Sequence, residues 1–175
     1  MKTKMAVTIA SAAALIAGCA ALKMPQDAEE YRARMPEKYT DKFEVKRPYK
    51  TVSDTLKRKS AECFDVAVTR QYQERNGPYV FNKVKTVRFR PGVSVNAKKT
   101  VLQLQSTEAG AQGGMQKIPE GRMYIMVADA FPAAGDKTRI EMYGVNLPFG
   151  TNKVFGATVK DWVNGQNLTG CPALK

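Results

Sequence analysis

The feature that most constrains the fold of this chain is a long stretch with a two-residue period, flanked by segments with a helical period. Between Val66 and Val145, apolar and polar residues alternate along several runs that glycine and proline separate. Such alternation is typical of antiparallel strands that bury one face and expose the other. The middle of the chain is therefore predicted to form an antiparallel sheet.

Turn signals divide this stretch into strands. Asn76-Gly77-Pro78 is predicted to end one strand and to begin the next, and Pro91-Gly92 is predicted to turn the chain again. Between these two turns the alternation changes phase near Lys85 and Thr86. A β-bulge at that point would restore the alternation, and we expect one there.

The clearest hairpin joins strands at 123–131 and 137–145. The side chains of its first arm that are expected to face the core are Met123, Ile125 and Val127. Asp129 has the same parity and lies close to the turn, where a carboxylate commonly bonds backbone groups. We therefore expect Asp129 to accept hydrogen bonds from the turn backbone.

Helical patterns lie on both sides of these strands. Thr51-Val52-Ser53-Asp54 matches the Thr-x-x-Asp form of a capping box, and it is predicted to begin a helix that continues to Cys63. A second helix is predicted from 152 to 164, because apolar residues recur there at helical spacing. The members of that apolar stripe are Phe155, Val159, Trp162 and Val163.

These elements predict an α+β fold. A curved antiparallel sheet of about six strands, including one at Phe43 and Val45, would pack on a helix from the N-terminal half and on the C-terminal helix. This order of elements resembles that of helix-grip domains, including those of a lipoprotein subunit of the outer-membrane barrel-assembly machinery. The resemblance is one of topology, and it assigns no functional residue.

The first residues of the chain carry a different signal. Lys2 and Lys4 precede an apolar run, and the run ends in Leu15-Ile16-Ala17-Gly18-Cys19. This string resembles the lipobox of bacterial lipoproteins, which implies cleavage before Cys19 and covalent lipid on its thiol. A plain signal peptide cleaved near Ala20 or Ala21 is the alternative.

The lipobox resemblance also implies an organisation for the chain. Residues 1–18 would be the signal peptide, 19–40 a lipidated tether with a short, solvated helix, and 41–175 a single α+β domain. Ala20 stands where enteric lipoproteins retained in the inner membrane carry Asp. By that analogy, the expected location is the outer membrane, facing the periplasm.

Two cysteines remain after Cys19. Export would place Cys63 and Cys171 in an oxidising compartment, where a pair of this kind usually forms a disulfide. We expect that bond, which would tie the tail after the last helix to the end of the first one. Two unrelated buried thiols are the alternative.

Composition argues against catalysis. The chain has no histidine, so it lacks the usual general base near neutral pH and the commonest transition-metal ligand. No Ser-x-x-Lys string is present, and no spacing singles out two carboxylates. We expect a protein that is not an enzyme, with no metal and no cofactor apart from the covalent lipid on Cys19.

Positive charge is the strongest bulk signal, since the formal net charge is +12. Lys83 with Lys85, and Arg88 with Arg90, are each expected to share a face, which would make the outer sheet surface strongly positive. Export makes a nucleic-acid partner improbable. An acidic envelope protein, anionic lipid or lipopolysaccharide would fit, and a merely solvated basic face is the alternative. The proposed anion-binding residues are Arg70, Lys83, Lys85, Arg88, Arg90, Lys98 and Lys99.

Two functions follow as hypotheses. The first is a non-catalytic scaffold, assembly accessory or binding accessory that uses the basic sheet face. The second is a carrier that holds a small apolar or amphiphilic ligand between the sheet and the C-terminal helix, in a cavity under Phe155, Val159 and Trp162. The carrier needs this space open, whereas the scaffold needs it filled.

Overall fold

The computed structural model of the chain describes residues 24–109, 123–147 and 151–174. Its helices are α1 (Ala28–Arg34), α2 (Tyr49–Cys63) and α3 (Thr151–Val163), and a 3-10 turn (Glu37–Tyr39) follows α1. Its strands are β1 (Thr40–Val45), β2 (Val66–Asn76), β3 (Tyr79–Val95), β4 (Thr100–Ala109), β5 (Met123–Ala133) and β6 (Lys137–Tyr143). The predicted signal peptide and Cys19 lie outside the described residues.

The six strands form one curled antiparallel sheet with the order β1-β6-β5-β4-β3-β2. Helices α2 and α3 pack together on one face of this sheet, as in a helix-grip arrangement. The predicted α+β fold is therefore confirmed. We call the face that carries α2 and α3 the inner face, and the opposite one the outer face.

The core lies between the inner face and the two helices. The stripe on α3 is wholly buried, and its rings pack on Phe64, which follows α2, and on Phe89 of β3. Burying a large apolar side chain contributes roughly 1.5–3 kcal/mol. The largest fully buried side chains include Leu56, Phe64, Leu102, Leu104, Met126, Ile140, Met142, Phe155 and Trp162.

The N-cap of helix α2 lies three residues earlier than the sequence predicts. Pro48 is its N-cap, and no side chain caps the first turn, so the capping-box prediction at 51–54 is wrong. Proline has no backbone N–H and a fixed φ, which suits it to a helix start. Asp54 instead accepts a hydrogen bond from Lys50 Nζ, at 2.7 Å, one turn before it.

Strand β3 is continuous over the positions where a bulge and a turn were predicted, so both predictions are wrong. Its pairing with β2 is regular through Lys85 and Thr86, and its pairing with β4 is regular through Pro91 and Gly92. Because β2 begins at Val66, opposite Phe89, the later part of β3 has no β2 partner and lies on an edge, where the missing N–H of a proline is tolerated. A glycine suits position 92 because the Cβ of any other residue would lie only 2.8 Å from Gln103 Nε2, and that side chain would have to move.

The bulge lies instead on β5. Leu104 pairs with Met126 and Gln105 with Tyr124, so Ile125 is the extra residue. After it, the side chains that share the inner face with the buried residues of β4 are Met126, Ala128 and Ala130. The strand was predicted, but its predicted core-facing set of Met123, Ile125 and Val127 is wrong. The bulge changes which side chains face the helices, and residues 125–130 are all buried, so the strand has no simple alternation.

Helix α1 packs against the outer face of β5. The Tyr31 hydroxyl donates to the carbonyl of Ile125 at 2.8 Å, and Asn152 Nδ2 donates to the same carbonyl at 2.8 Å. Gly144 has a φ of +80°, and a Cβ there would overlap the Tyr31 hydroxyl. Tyr31 is buried, so α1 is a docked helix and differs from the solvated spacer that the sequence predicts.

A disulfide joins Cys63 at the end of α2 to Cys171 beyond α3, as predicted. The two cysteines are 108 positions apart. In the chain-entropy model, closing a loop of about 100 residues contributes roughly 4.7 kcal/mol of stability. The bond holds the C-terminal tail against the helix layer.

Candidate functional site

The residues predicted to line a ligand cavity lie in a closed core. Phe155, Val159 and Trp162 have no exposed surface. The ring centroid of Phe64 lies 4.8 Å from that of Phe155 and 4.7 Å from that of Trp162, and Phe89 closes on Phe155 at 4.9 Å. This packing fills the space that the carrier hypothesis requires to be open.

A hollow of about 370 Å³ lies beside Trp162, in a different place. It is lined by Thr158, Asp161 and Trp162 of α3, together with residues of the tail between Asn167 and Pro172. It is therefore formed by the helix and the tail rather than by the helix and the sheet. A ligand here would not be gripped in the way that the carrier hypothesis expects.

The most exposed part of the fold is the far half of the β2–β3 hairpin. Residues 70–84 are all exposed, and Lys85 is half-buried. Among the described residues, β4 pairs with β3 only as far as Thr86, so residues 70–85 extend past the described part of β4 as two strands. We call residues 70–85 the β2–β3 ribbon.

The strand register assigns the basic residues to faces. Arg70 lies directly opposite Lys85, and Tyr72 lies directly opposite Lys83. By the alternation of the strands, these four side chains are on the same face as Phe89, which is the inner face. Arg88 and Arg90 have the other parity and lie on the outer face. Each predicted pair does share a face, but the two pairs are on opposite faces because β3 has no bulge between them.

The remaining predicted bases lie elsewhere. Lys98 and Lys99 follow β3 at the end of the strand away from the ribbon, and their backbone N–H groups donate to Asn96 Oδ1. Lys99 Nζ also contacts Asp129 Oδ2 at 3.0 Å. The seven predicted anion-binding residues are therefore distributed over the ribbon, the outer face beside it and a distant turn, rather than over one surface.

The ribbon and the rest of its hairpin have an excess of positive charge. Glu74 is the single acid on β2 and β3, and it pairs with Lys83. The hydrogen bond to Glu74 is the main cause that raises the pKa of Lys83 above its usual value. Arg88 pairs with Asp65 at 3.2 Å. The bases of the two strands are Arg70, Arg75, Lys83, Lys85, Arg88 and Arg90.

Exposed apolar side chains accompany these bases, and sequence reasoning missed them. Tyr79 is 67% exposed, and its ring centroid lies 6.4 Å from that of Phe81 on the same face. Val80 and Val84 are exposed on the opposite face, and Tyr72 is exposed beside Lys83. The signal was the presence of aromatic and basic residues on both sides of Asn76-Gly77.

A second charged cluster lies under α1. Asp129 is 1% exposed and accepts from Arg32 Nη2 at 2.7 Å, with Arg32 Nε and Lys99 Nζ also within 3.0 Å. This replaces the predicted bond from Asp129 to the turn backbone. Because both oxygens of this buried carboxylate contact cations, one of them on α1, the cluster fixes α1 on the sheet.

Two tyrosines near this cluster have raised pKa values. Burial raises the pKa of Tyr31 above its usual value, and Tyr31 OH donates to a carbonyl. Burial, and then a hydrogen bond from Tyr143 OH to Glu141 Oε2 at 2.8 Å, raises the pKa of Tyr143 to about 12. Both hydroxyls therefore remain protonated and act as hydrogen-bond donors at neutral pH.

Within the described parts of the chain, no group of three or more Cys, Asp or Glu side chains is arranged to hold a metal ion. Nor is any helix there long and apolar enough to cross a membrane. The ribbon is thus the feature with the most distinctive surface chemistry. In comparisons with protein-family models, with curated proteins and with solved structures, this chain matches none of them.

Proposed function

We propose that this protein is a lipid-anchored accessory of the cell envelope that binds an anionic partner, without catalysis, through the β2–β3 ribbon. The observation that carries the proposal is that the ribbon exposes aromatic and basic side chains together while the core behind it is filled. The anchor would be covalent lipid on Cys19, as the lipobox resemblance implies, and the location would be the outer membrane, facing the periplasm.

Folding alone does not explain the composition of the ribbon. An isolated two-stranded hairpin is marginally stable in water, so folding by itself gives little reason for a ribbon of this length. Lysines do protect sheet edges against unwanted pairing. That protection accounts for some of the bases, but it does not account for Tyr79 and Phe81, which stay exposed.

The filled core supports this function over the carrier. Phe64 and Phe89 occupy the volume beneath α3 that a ligand would need. Opening that volume would require several buried aromatic contacts to separate, and each aromatic pair contributes about 0.5–1.5 kcal/mol beyond its buried area. The carrier is therefore not retained as a second candidate.

A photo-cross-linking residue on the ribbon tests the proposal. It replaces Tyr72 in the full-length protein, in the cells that make it, and the matched control replaces Lys57, which is exposed on α2. We expect adducts with lipid or with a protein from position 72 and few from position 57. We also expect Cys19→Ser to reduce the adducts, since it removes the proposed anchor. Equal labelling at both positions would contradict the proposal.

A further inference from the structure

On the basis of the proposed function, we infer that the anionic partner is a lipid surface, and that the tip of the ribbon inserts into the interface of the bilayer. The tip comprises residues 76–81. Its turn is formed by Asn76, Gly77 and Pro78, and nothing lies within 4 Å of a Cβ built on Gly77. The turn is therefore free to meet a surface end-on.

The first argument is the distribution of apolar side chains over both faces of the tip. Tyr79 and Phe81 project from one face and Val80 from the other, and their exposed fractions are 67%, 49% and 50%, respectively. A folded protein partner would cover one face or one edge of a two-stranded ribbon. A fluid interface surrounds an inserted tip, so it buries apolar groups on both faces at once.

The second argument is the order of residue types along the ribbon. The aromatic rings lie at the tip, and tyrosine rings favour the headgroup level of a bilayer. Lys83 and Lys85 follow, four and six residues behind Tyr79, which is about 13–20 Å at the rise of a strand. The side chain of Lys83 can extend towards the lipid phosphates while the rings are inserted, so that its charge lies within about a Debye length of them, whereas Lys85 lies farther away.

The third argument is the length of chain between the proposed anchor and the domain. Nine Cα–Cα steps separate Cys19 from Ala28, the first residue of α1, and they span at most about 32 Å. Helix α1 is fixed to β5 by Tyr31 and Arg32. The lipid would thus hold the domain close to the bilayer that the ribbon is proposed to contact.

Charge complementarity favours anionic over zwitterionic lipid. The ribbon carries Arg70, Arg75, Lys83 and Lys85 against Glu74. Basic residues near an anionic leaflet are attracted independently of one another, and the attraction falls off over the Debye length. An acidic protein offers the same charge, so the experiment must separate it from lipid.

The test uses the mature, lipidated protein reconstituted into vesicles. Tyr79→Trp places a fluorescent reporter at the tip, and Lys57→Trp, on an exposed part of α2, is the matched control. The emission of the buried Trp162, measured in the unsubstituted protein, is subtracted. The vesicles contain either phosphatidylcholine alone or about one-third phosphatidylglycerol, with bromine on the acyl chains as a quencher.

We expect the Tyr79→Trp emission to shift to the blue and to be quenched by bromine in the anionic vesicles, with less effect in phosphatidylcholine and none for Lys57→Trp. Adding Lys83→Ala and Lys85→Ala should lower the ratio of inserted to free tip several-fold, with the larger part from Lys83, whereas Lys57→Ala with Lys153→Ala should not. Both pairs remove the same charge, and the control lysines are exposed on helices.

Two results would overturn the inference. One of them leaves the proposed function valid, and the other contradicts it as well. If bromine does not quench the tip but position 72 cross-links to an acidic protein in cells, the partner is a protein and the proposed function remains. If bromine does not quench the tip and position 72 gives no adduct above the control, both the inference and the proposed function are wrong.

Discussion

At the scale of single residues, the buried charge at Asp129 decides how the N-terminal segment is held. Its side chain is covered by α1, and its two cationic partners come from positions 32 and 99. Such a cluster stabilises the fold little relative to apolar packing, because desolvation offsets the attraction. Removing only the carboxylate is costly, however, because the charges of Arg32 and Lys99 then lose their partner.

Asp129→Asn tests this role. It should lower the free energy of unfolding by about 2–3 kcal/mol, less than for a wholly buried pair, because Arg32 and Lys99 are 18% and 28% exposed and can partly reach water. Urea denaturation measures the change. The control is Asp54→Asn, whose partner Lys50 is exposed and whose effect should be within about 0.5 kcal/mol. Equal effects for the two variants would show that the cluster is not structural.

At the scale of elements, the β2–β3 ribbon stands apart from the strands behind it. Strand β5 is buried on both faces and holds α1, whereas residues 70–84 are exposed throughout. Within the β2–β3 hairpin, the half that contains Phe89 belongs to the core, whereas the ribbon does not. An element of the second kind can be changed with little effect on the fold.

Shortening the ribbon makes this separation measurable. Joining Gln71 directly to Val84 through Asn-Gly retains their pairing and gives a two-residue hairpin turn of a favoured type. We expect the free energy of unfolding to change by less than about 1 kcal/mol, since no buried side chain is removed. Circular dichroism with urea denaturation checks it. A loss of several kcal/mol would show that the ribbon supports the fold, which would weaken the proposal that it serves binding.

At the scale of the whole molecule, local patterns predict the elements, and long-range contacts decide where they sit. The helices and the sheet follow from hydrophobic periodicity and turn residues, and the Cys63–Cys171 bond follows from the two cysteines that remain after Cys19. The bulge at Ile125 does not, because β5 is apolar on both faces and its period is hidden.

The residue types of the candidate site could be predicted from the sequence, but their positions on the fold could not. The bases of the ribbon are visible in the sequence, but their faces depend on whether β3 is interrupted. Docking of α1 rests on Tyr31 and Arg32, whose partners are 94 and 97 positions away, a distance at which no local period carries information. Exposure of Tyr79 and Phe81 likewise depends on long-range packing, since the described part of β4 pairs with β3 only as far as Thr86.

The disulfide acts at this largest scale, since it ties the tail after α3 to the end of α2. Replacing Cys63 and Cys171 together by Ala should lower the free energy of unfolding by about 2–5 kcal/mol, chiefly because the unfolded chain regains the freedom of a long loop. Urea denaturation of the variant and of the parent measures the difference. Adding a reductant during unfolding should bring the parent close to the variant and leave the variant unchanged. If the two proteins unfold at the same urea concentration, the bond contributes no stability, and the packing of α3 on Phe64 and Phe89 alone holds the C-terminal part in place.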